Sequence, residues 1–175
     1  MSATDLVLRF VYPNNPNADF RTVNIHQIVE GSDAAPIEMY KFHHPNTGFM
    51  TGVTSIQRKN MDTQIWENAG QIEWSSNTSG AVYFGVERVI FRASSHPAAT
   101  SRRFKVNNSE YKWKVAENGT DLICVSDSLT NRGKTIALWT QETLILRVAE
   151  RAEGFLDRVV VTCFLNLWFK RLNLW

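Results

Sequence analysis

The sequence predicts a mostly β chain that ends in one strongly apolar helix. Three observations carry this reading. Segments that alternate apolar and polar residues, rich in β-branched and aromatic side chains, recur roughly every ten positions up to about residue 149. Turn-forming Asn, Gly, Asp and Pro separate them, and no stretch before residue 150 sustains a 3.6-residue period. From Gly154 to Arg171 the alternation gives way to a continuous apolar run. The pattern is that of an antiparallel barrel or sandwich with helix confined to its end.

Leu6 to Tyr12 forms the first strand candidate, and Pro13-Asn14-Asn15-Pro16 ends it, since proline fixes φ and removes a backbone donor. Phe20 to Val29 alternates next, with Val23 and Ile25 on one face and Thr22, Asn24 and His26 on the other, up to Gly31-Ser32-Asp33. Ile37 to Phe42 and Met50 to Arg58 bracket a hairpin-like connection, His43-His44-Pro45-Asn46-Thr47-Gly48. Gln64-Ile65-Trp66-Glu67 and Gln71-Ile72-Glu73-Trp74 repeat one pattern around Asn68-Ala69-Gly70, which predicts a tight hairpin. Ala81 to Phe84, Val86 to Arg92, Arg103 to Val106, Tyr111 to Val115, Leu122 to Val125, Thr135 to Trp139 and Leu144 to Val148 bring the total to about twelve strands.

The terminal segment is too long and continuous for a strand. Projected at 100° per residue, Arg158, Thr162, Asn166 and Lys170 form one narrow stripe, and nearly everything else apart from Asp157 is apolar. The uninterrupted run covers about 11 residues, short of the ~20 that cross a bilayer. A membrane-surface helix would need a broad polar face. The remaining reading is a helix at roughly 154–171 buried inside the chain's own β structure, as the core of one domain spanning residues 1–175 with strands over roughly 5–149.

Hydrophobic residues make up 43% of the chain and aromatics 11%, enough for a sizeable core and against disorder. Met1 to Asp5 is polar and Arg9 interrupts the apolar run that follows, so no secretory h-region is read and a cytoplasmic address is expected, with peripheral membrane contact allowed. Cys124 and Cys163 fall in apolar runs and are expected as buried free thiols. The sequons at Asn77, Asn107 and Asn118 then read as turns. A net charge of +2 is too small for wholesale nucleic-acid binding, and no transmembrane span is expected. The charge is uneven, however: residues 1–99 carry seven Lys/Arg against nine Asp/Glu, and residues 100–175 twelve against eight.

A curved antiparallel barrel threaded by an apolar C-terminal helix resembles the tubby C-terminal-like superfamily, which includes phospholipid scramblases and LURP-one-related proteins. More specifically, Ile72-Glu73-Trp74, Glu110-Tyr111-Lys112-Trp113-Lys114, Leu144-Ile145-Leu146 and Phe155-Leu156-Asp157-Arg158-Val159-Val160-Val161-Thr162 resemble the DUF6593 family of uncharacterised fungal proteins. The resemblance covers roughly residues 35–172 and implies an approximately 12-stranded tubby-like β-barrel enclosing the helix. Its motifs are structural and carry fold more than activity. Tubby domains bind phosphoinositide head groups through basic residues, and scramblase relatives act at membranes with calcium. Here no EF-hand loop and no flanking span accompany the pattern.

No catalytic constellation is legible. His43 and His44 are adjacent, so in an extended loop they point apart, and no ligand spacing surrounds them. His26 and His96 stand in no nucleophile-activating context, and Glu67 and Glu73 read as solvent-facing strand residues. No phosphate loop, metal site or cofactor motif appears, and a non-enzymatic binding or scaffold module is expected. The candidate ligand site is basic: Arg102, Arg103 and Lys105, followed by Lys112 and Lys114, on what would be neighbouring strands. Arg103 with Lys105, and Lys112 with Lys114, share a face, while Phe104 and Trp113 point the other way. Such a patch suits phosphoinositide or other anionic lipid head groups, or an acidic protein partner. The alternatives are a scramblase-like membrane protein, or a lectin-like defence protein that stacks Trp66 or Trp74 on sugars.

Overall fold

The structure is a computed structural model, and it describes residues 5–93, 101–128 and 132–175, with Ser101 by its backbone alone. Twelve strands precede the helix: β1 Leu6–Val11, β2 Val23–Gln27, β3 Ile37–His43, β4 Gly52–Lys59, β5 Trp66–Ser76, β6 Ser79–Phe84, β7 Glu87–Arg92, β8 Ser101–Val106, β9 Ser109–Val115, β10 Leu122–Ser126, β11 Thr135–Thr140 and β12 Ile145–Val148. A short 3-10 helix, Glu150–Phe155, leads into α1, Leu156–Arg171. The strands form one antiparallel sheet in the order β7-β6-β5-β4-β3-β2-β1-β12-β11-β10-β9-β8. The described ladders leave β7 and β8 as the two ends and do not close into a barrel. By its contacts the chain divides into two compact units, one built from 1–9, 29–32 and 94–175, the other from 10–28 and 33–93.

The first unit contains α1. No residue from Phe155 to Lys170 is exposed, and nine of the sixteen in α1 are buried, as its nearly continuous apolar sequence demands. Its narrow polar stripe is used: Trp113 Nε1 donates to Thr162 Oγ1 at 2.9 Å, and that hydroxyl donates to the Arg158 carbonyl at 2.7 Å. Asn166 is buried, as is Leu165 before it. Asp157 in the first turn and Lys170 and Arg171 in the last complement the helix dipole. The C-terminal stop is a Schellman motif, in which Asn173 adopts φ 55°, its N–H reaches the Lys170 carbonyl, and the Leu174 N–H reaches that of Phe169. Cys124 and Cys163 are free and buried, and burial pushes both thiols up, Cys163 further because Cys124 is near.

The second unit is the meander β2 to β7, with Val23, Ile25, Tyr40, Phe42, Ile56, Ile72 and Trp74 buried. Here one expectation is overturned. Asn68-Ala69-Gly70 is no hairpin turn: β5 runs unbroken through it as a single 11-residue strand. Opposite β4, Ile56 pairs with Gly70 and Gln57 with Asn68, so Ala69 is the extra residue of a β-bulge. Asn68 Oδ1 accepts the Gly70 N–H at 3.0 Å, and Gly70 takes φ 151°. The turn-forming residues therefore bend the strand rather than reverse it. A Cβ at Gly70 would lie 2.6 Å from the Tyr83 carbonyl oxygen on β6. Gly70→Ala is expected to cost about 1–3 kcal/mol through the unfavourable φ and the displaced β6 backbone, read as a lower urea midpoint by circular dichroism.

All three sequons fall in tight turns, at 77–78, 107–108 and 117–120. Asn107 takes φ 53° at the turn that joins β8 to β9.

Candidate anion-binding site

The β8–β9 hairpin sets the geometry. Arg103 lies opposite Lys112, Lys105 opposite Glu110 and Ser101 opposite Lys114, so strand alternation places Arg103, Lys105, Lys112 and Lys114 on one face. Trp113, from the other face of β9, is fully buried. The cations that one face would otherwise hold in mutual repulsion are bridged by an acid from the next connection. Asp127, just past β10, donates its backbone N–H to the Glu110 carbonyl and is thereby fixed beside the hairpin. Its Oδ1 accepts from Lys112 Nζ and its Oδ2 from Arg103 Nε, each at 3.0 Å. Arg132 Nε lies 3.8 Å from the same carboxylate, and Lys105 Nζ pairs with Glu110 Oε1 at 2.9 Å.

The hydrogen bond from Lys112, seconded by that from Arg103, holds the Asp127 carboxyl below the usual carboxylate range. The Asp127 side chain is 7% exposed, whereas that of Arg103 is 64% exposed, so the acid lies beneath and the guanidinium projects. Five cations, Arg103, Lys105, Lys112, Lys114 and Arg132, thus face two carboxylates, Asp127 and Glu110. Lys114 is exposed and has no carboxylate partner among the described residues. The arrangement presents a fork and point charges to solvent over an acid that holds two of them in place.

Arg102 is placed elsewhere. It pairs in register with Trp113, on the face opposite Arg103. Its Nη2 donates to the Leu174 carbonyl at 2.7 Å, and its guanidinium lies 4.5 Å from the Phe169 ring centre and 5.5 Å from that of Trp175. It clasps the C-terminal end of α1, where a cation is favoured by the helix dipole and by aromatic faces.

A further polar centre lies in the second unit. Its core is Arg21, which forms a two-point salt bridge with Asp19 and donates to the Met50 carbonyl at 2.8 Å. Alongside it, His44 Nδ1 and Thr54 Oγ1 lie 2.9 Å apart, and Trp74 Nε1 donates to the same hydroxyl at 2.8 Å. His44, in the connection that follows β3, is buried at 2% exposure. Its neighbour His43 is exposed, and among the described residues no three His, Cys, Asp or Glu side chains form a group that could hold a metal ion. His96 lies outside the described residues. None of the six Trp side chains is exposed; Trp74 is buried, and Lys41 Nζ sits 4.2 Å over the ring of half-buried Trp66.

A family model matches residues 20–171, across both units and over most of the chain. The chain belongs to the DUF6593 family. That family is described as one of unknown function, so DUF6593 membership assigns no activity. No match to the chain was found among curated proteins or among solved structures.

Sequence reasoning located four of the face's cations and missed Asp127, Glu110 and Arg132. Asp127 stands 24 positions from Arg103 and 15 from Lys112, and only the return of β10 alongside β9 brings them together. For Arg102 the signal was present: it has the parity of Phe104, the residue already read as inward.

Proposed function

We propose that this DUF6593 protein is a non-enzymatic binding module that holds anionic phospholipid head groups on the outer face of the β8–β9 hairpin. The observation that carries the reading is the set of five cations over two carboxylates on that face, with Asp127 orienting Arg103 and Lys112. Arg103 would meet a phosphate with its planar fork, and Lys105, Lys112 and Lys114 as point charges. Placement in the tubby-like superfamily belongs to the same proposal. It draws support from the strand count, from the buried terminal helix, and from a ladder order in which every pair of consecutive strands except β7 and β8 is adjacent.

Among the described residues no helix is long and apolar enough to cross a membrane, and the reading requires none. The test is co-sedimentation with phosphatidylcholine vesicles, with and without a few per cent of a phosphoinositide. Each cation near an anionic surface contributes about 1 kcal/mol, so Arg103→Gln with Lys114→Gln should weaken binding about 30-fold, and raised salt should weaken the unaltered protein similarly. Arg102 is left in place because it holds the helix end. Equal sedimentation of both forms would refute the patch.

A further inference from the structure

The loop between β3 and β4 carries an apolar tip. From Pro45 to Thr51 it contains no charged residue, and at its tip Phe49 and Met50 are 71% and 63% exposed. Two consecutive large apolar side chains held in water need an explanation, because nothing in the local sequence forces them outward. Their presentation is fixed from below. Arg21, 5% exposed and locked by Asp19, donates to the Met50 carbonyl at 2.8 Å and reaches the Phe49 carbonyl at 3.5 Å. Thr47 N–H reaches the Pro45 carbonyl and Thr47 Oγ1 accepts the Phe49 N–H, so the tip satisfies much of its own backbone. Thr22 Oγ1 pins the loop's entry, accepting from the His44 N–H at 3.0 Å and lying 3.2 Å from its carbonyl.

We infer that the Pro45–Thr51 loop is a membrane-inserting tip that places Phe49 and Met50 in the interfacial layer of a lipid bilayer. In hydrocarbon every unsatisfied backbone group is costly, and here the carbonyls of both apolar residues are met by a buried guanidinium whose charge Asp19 balances. A loop with no charge of its own and pre-satisfied carbonyls can enter the interface without first breaking hydrogen bonds to water. A protein partner fits the feature less well. Two side chains on a seven-residue turn offer far less than the roughly 800 Å² per partner of a standard interface, whereas a bilayer needs no matching shape. The inference goes beyond the head-group reading and does not depend on it: the β8–β9 cations act through charge, the loop through apolar burial.

Salt separates the two in one experiment. Phe49→Ser with Met50→Ser should reduce co-sedimentation with phosphatidylcholine–phosphatidylserine vesicles at least tenfold at 0.5 M salt, where electrostatic attraction is screened. Arg103→Gln with Lys114→Gln should leave that high-salt fraction unchanged. As a direct readout, a Phe49→Cys variant is labelled with an environment-sensitive dye, which the buried native thiols Cys124 and Cys163 do not compete for. The dye should blue-shift on vesicle addition and be quenched by lipids carrying a quencher at shallow acyl positions. An unshifted dye, or equal high-salt binding by the loop variant, overturns the inference. So does concentration-dependent self-association of the unaltered protein without lipid that Phe49→Ser with Met50→Ser abolishes, which would make the tip a protein contact.

Discussion

Trp113→Ala should destabilise the first unit by about 3–5 kcal/mol, a large share of the roughly 5–15 kcal/mol that holds a typical domain folded. The indole is fully buried and is the largest side chain that β9 contributes to the core. It also makes the specific link to the helix, its Nε1–H donating to Thr162 Oγ1 at 2.9 Å. Truncation removes both, and a close-packed interior cannot refill the space. Trp113→Phe keeps most of the ring volume and loses the donor, so it should cost about 1–2 kcal/mol, because Thr162 retains the Arg158 carbonyl as acceptor. Urea unfolding followed by far-ultraviolet circular dichroism measures both. Lys112 and Lys114 flank Trp113 on the opposite face, so Trp113→Phe should leave vesicle binding unchanged. An alanine variant within 1 kcal/mol of the unaltered protein would mean that α1 is held without this contact.

The distinction between what the sequence revealed and what it hid follows the range of the interactions. Alternation and turn chemistry act over a few residues, and the strands and the terminal helix were legible from them. The apolar helix was legible as buried because a stripe of four polar residues cannot face water along sixteen positions, and the structure leaves none of it exposed up to Lys170. Asn68-Ala69-Gly70 was misread for a physical reason. A bulge and a reversal use the same Asn and Gly conformations, and the choice between them rests with β4, whose Ile56 and Gln57 hold the strand in line on either side of Ala69. The basic face was legible as charge and parity. Its acid was not, because Asp127 acquires its role from chain return rather than from any neighbour in sequence. His44 was hidden likewise, since its partners Thr22 and Thr54 arrive from two other segments, and Thr54 in turn takes the Trp74 indole N–H from a third.

Those partners make Thr54 the residue whose smallest change should have a large effect. Thr54 is fully buried, and its one hydroxyl serves two rings: it accepts from Trp74 Nε1 and meets His44 Nδ1. The hydroxyl carries one proton and two lone pairs, enough to meet both rings, while the other imidazole nitrogen, Nε2, is buried with no hydrogen-bond partner among the described residues. Thr54→Val preserves shape and orphans both the Trp74 N–H and His44 Nδ1, each at about 1–3 kcal/mol, so about 2–6 kcal/mol in total at pH 7.5. The same centre should make stability depend on pH. Burial, reinforced by the Arg21 charge and His43 and only partly opposed by Asp19, holds the His44 imidazole below its usual range. The native state therefore binds that proton less readily than the unfolded chain. This contribution is complete above the unfolded value near 6.5 and is lost as pH falls below it, at no more than about 1.4 kcal/mol per pH unit. Asp19, burial notwithstanding, is held below its usual range by hydrogen bonds from Arg21, and its own loss with falling pH begins only near the ordinary carboxylate range, a lower window. Urea midpoints should thus drop between pH 7.5 and 5.5 in the unaltered protein. In His44→Asn, which keeps a polar atom near Thr54 but cannot take up the proton, the drop should shrink. An undiminished slope in His44→Asn would assign the acid sensitivity to other groups and remove His44 from it.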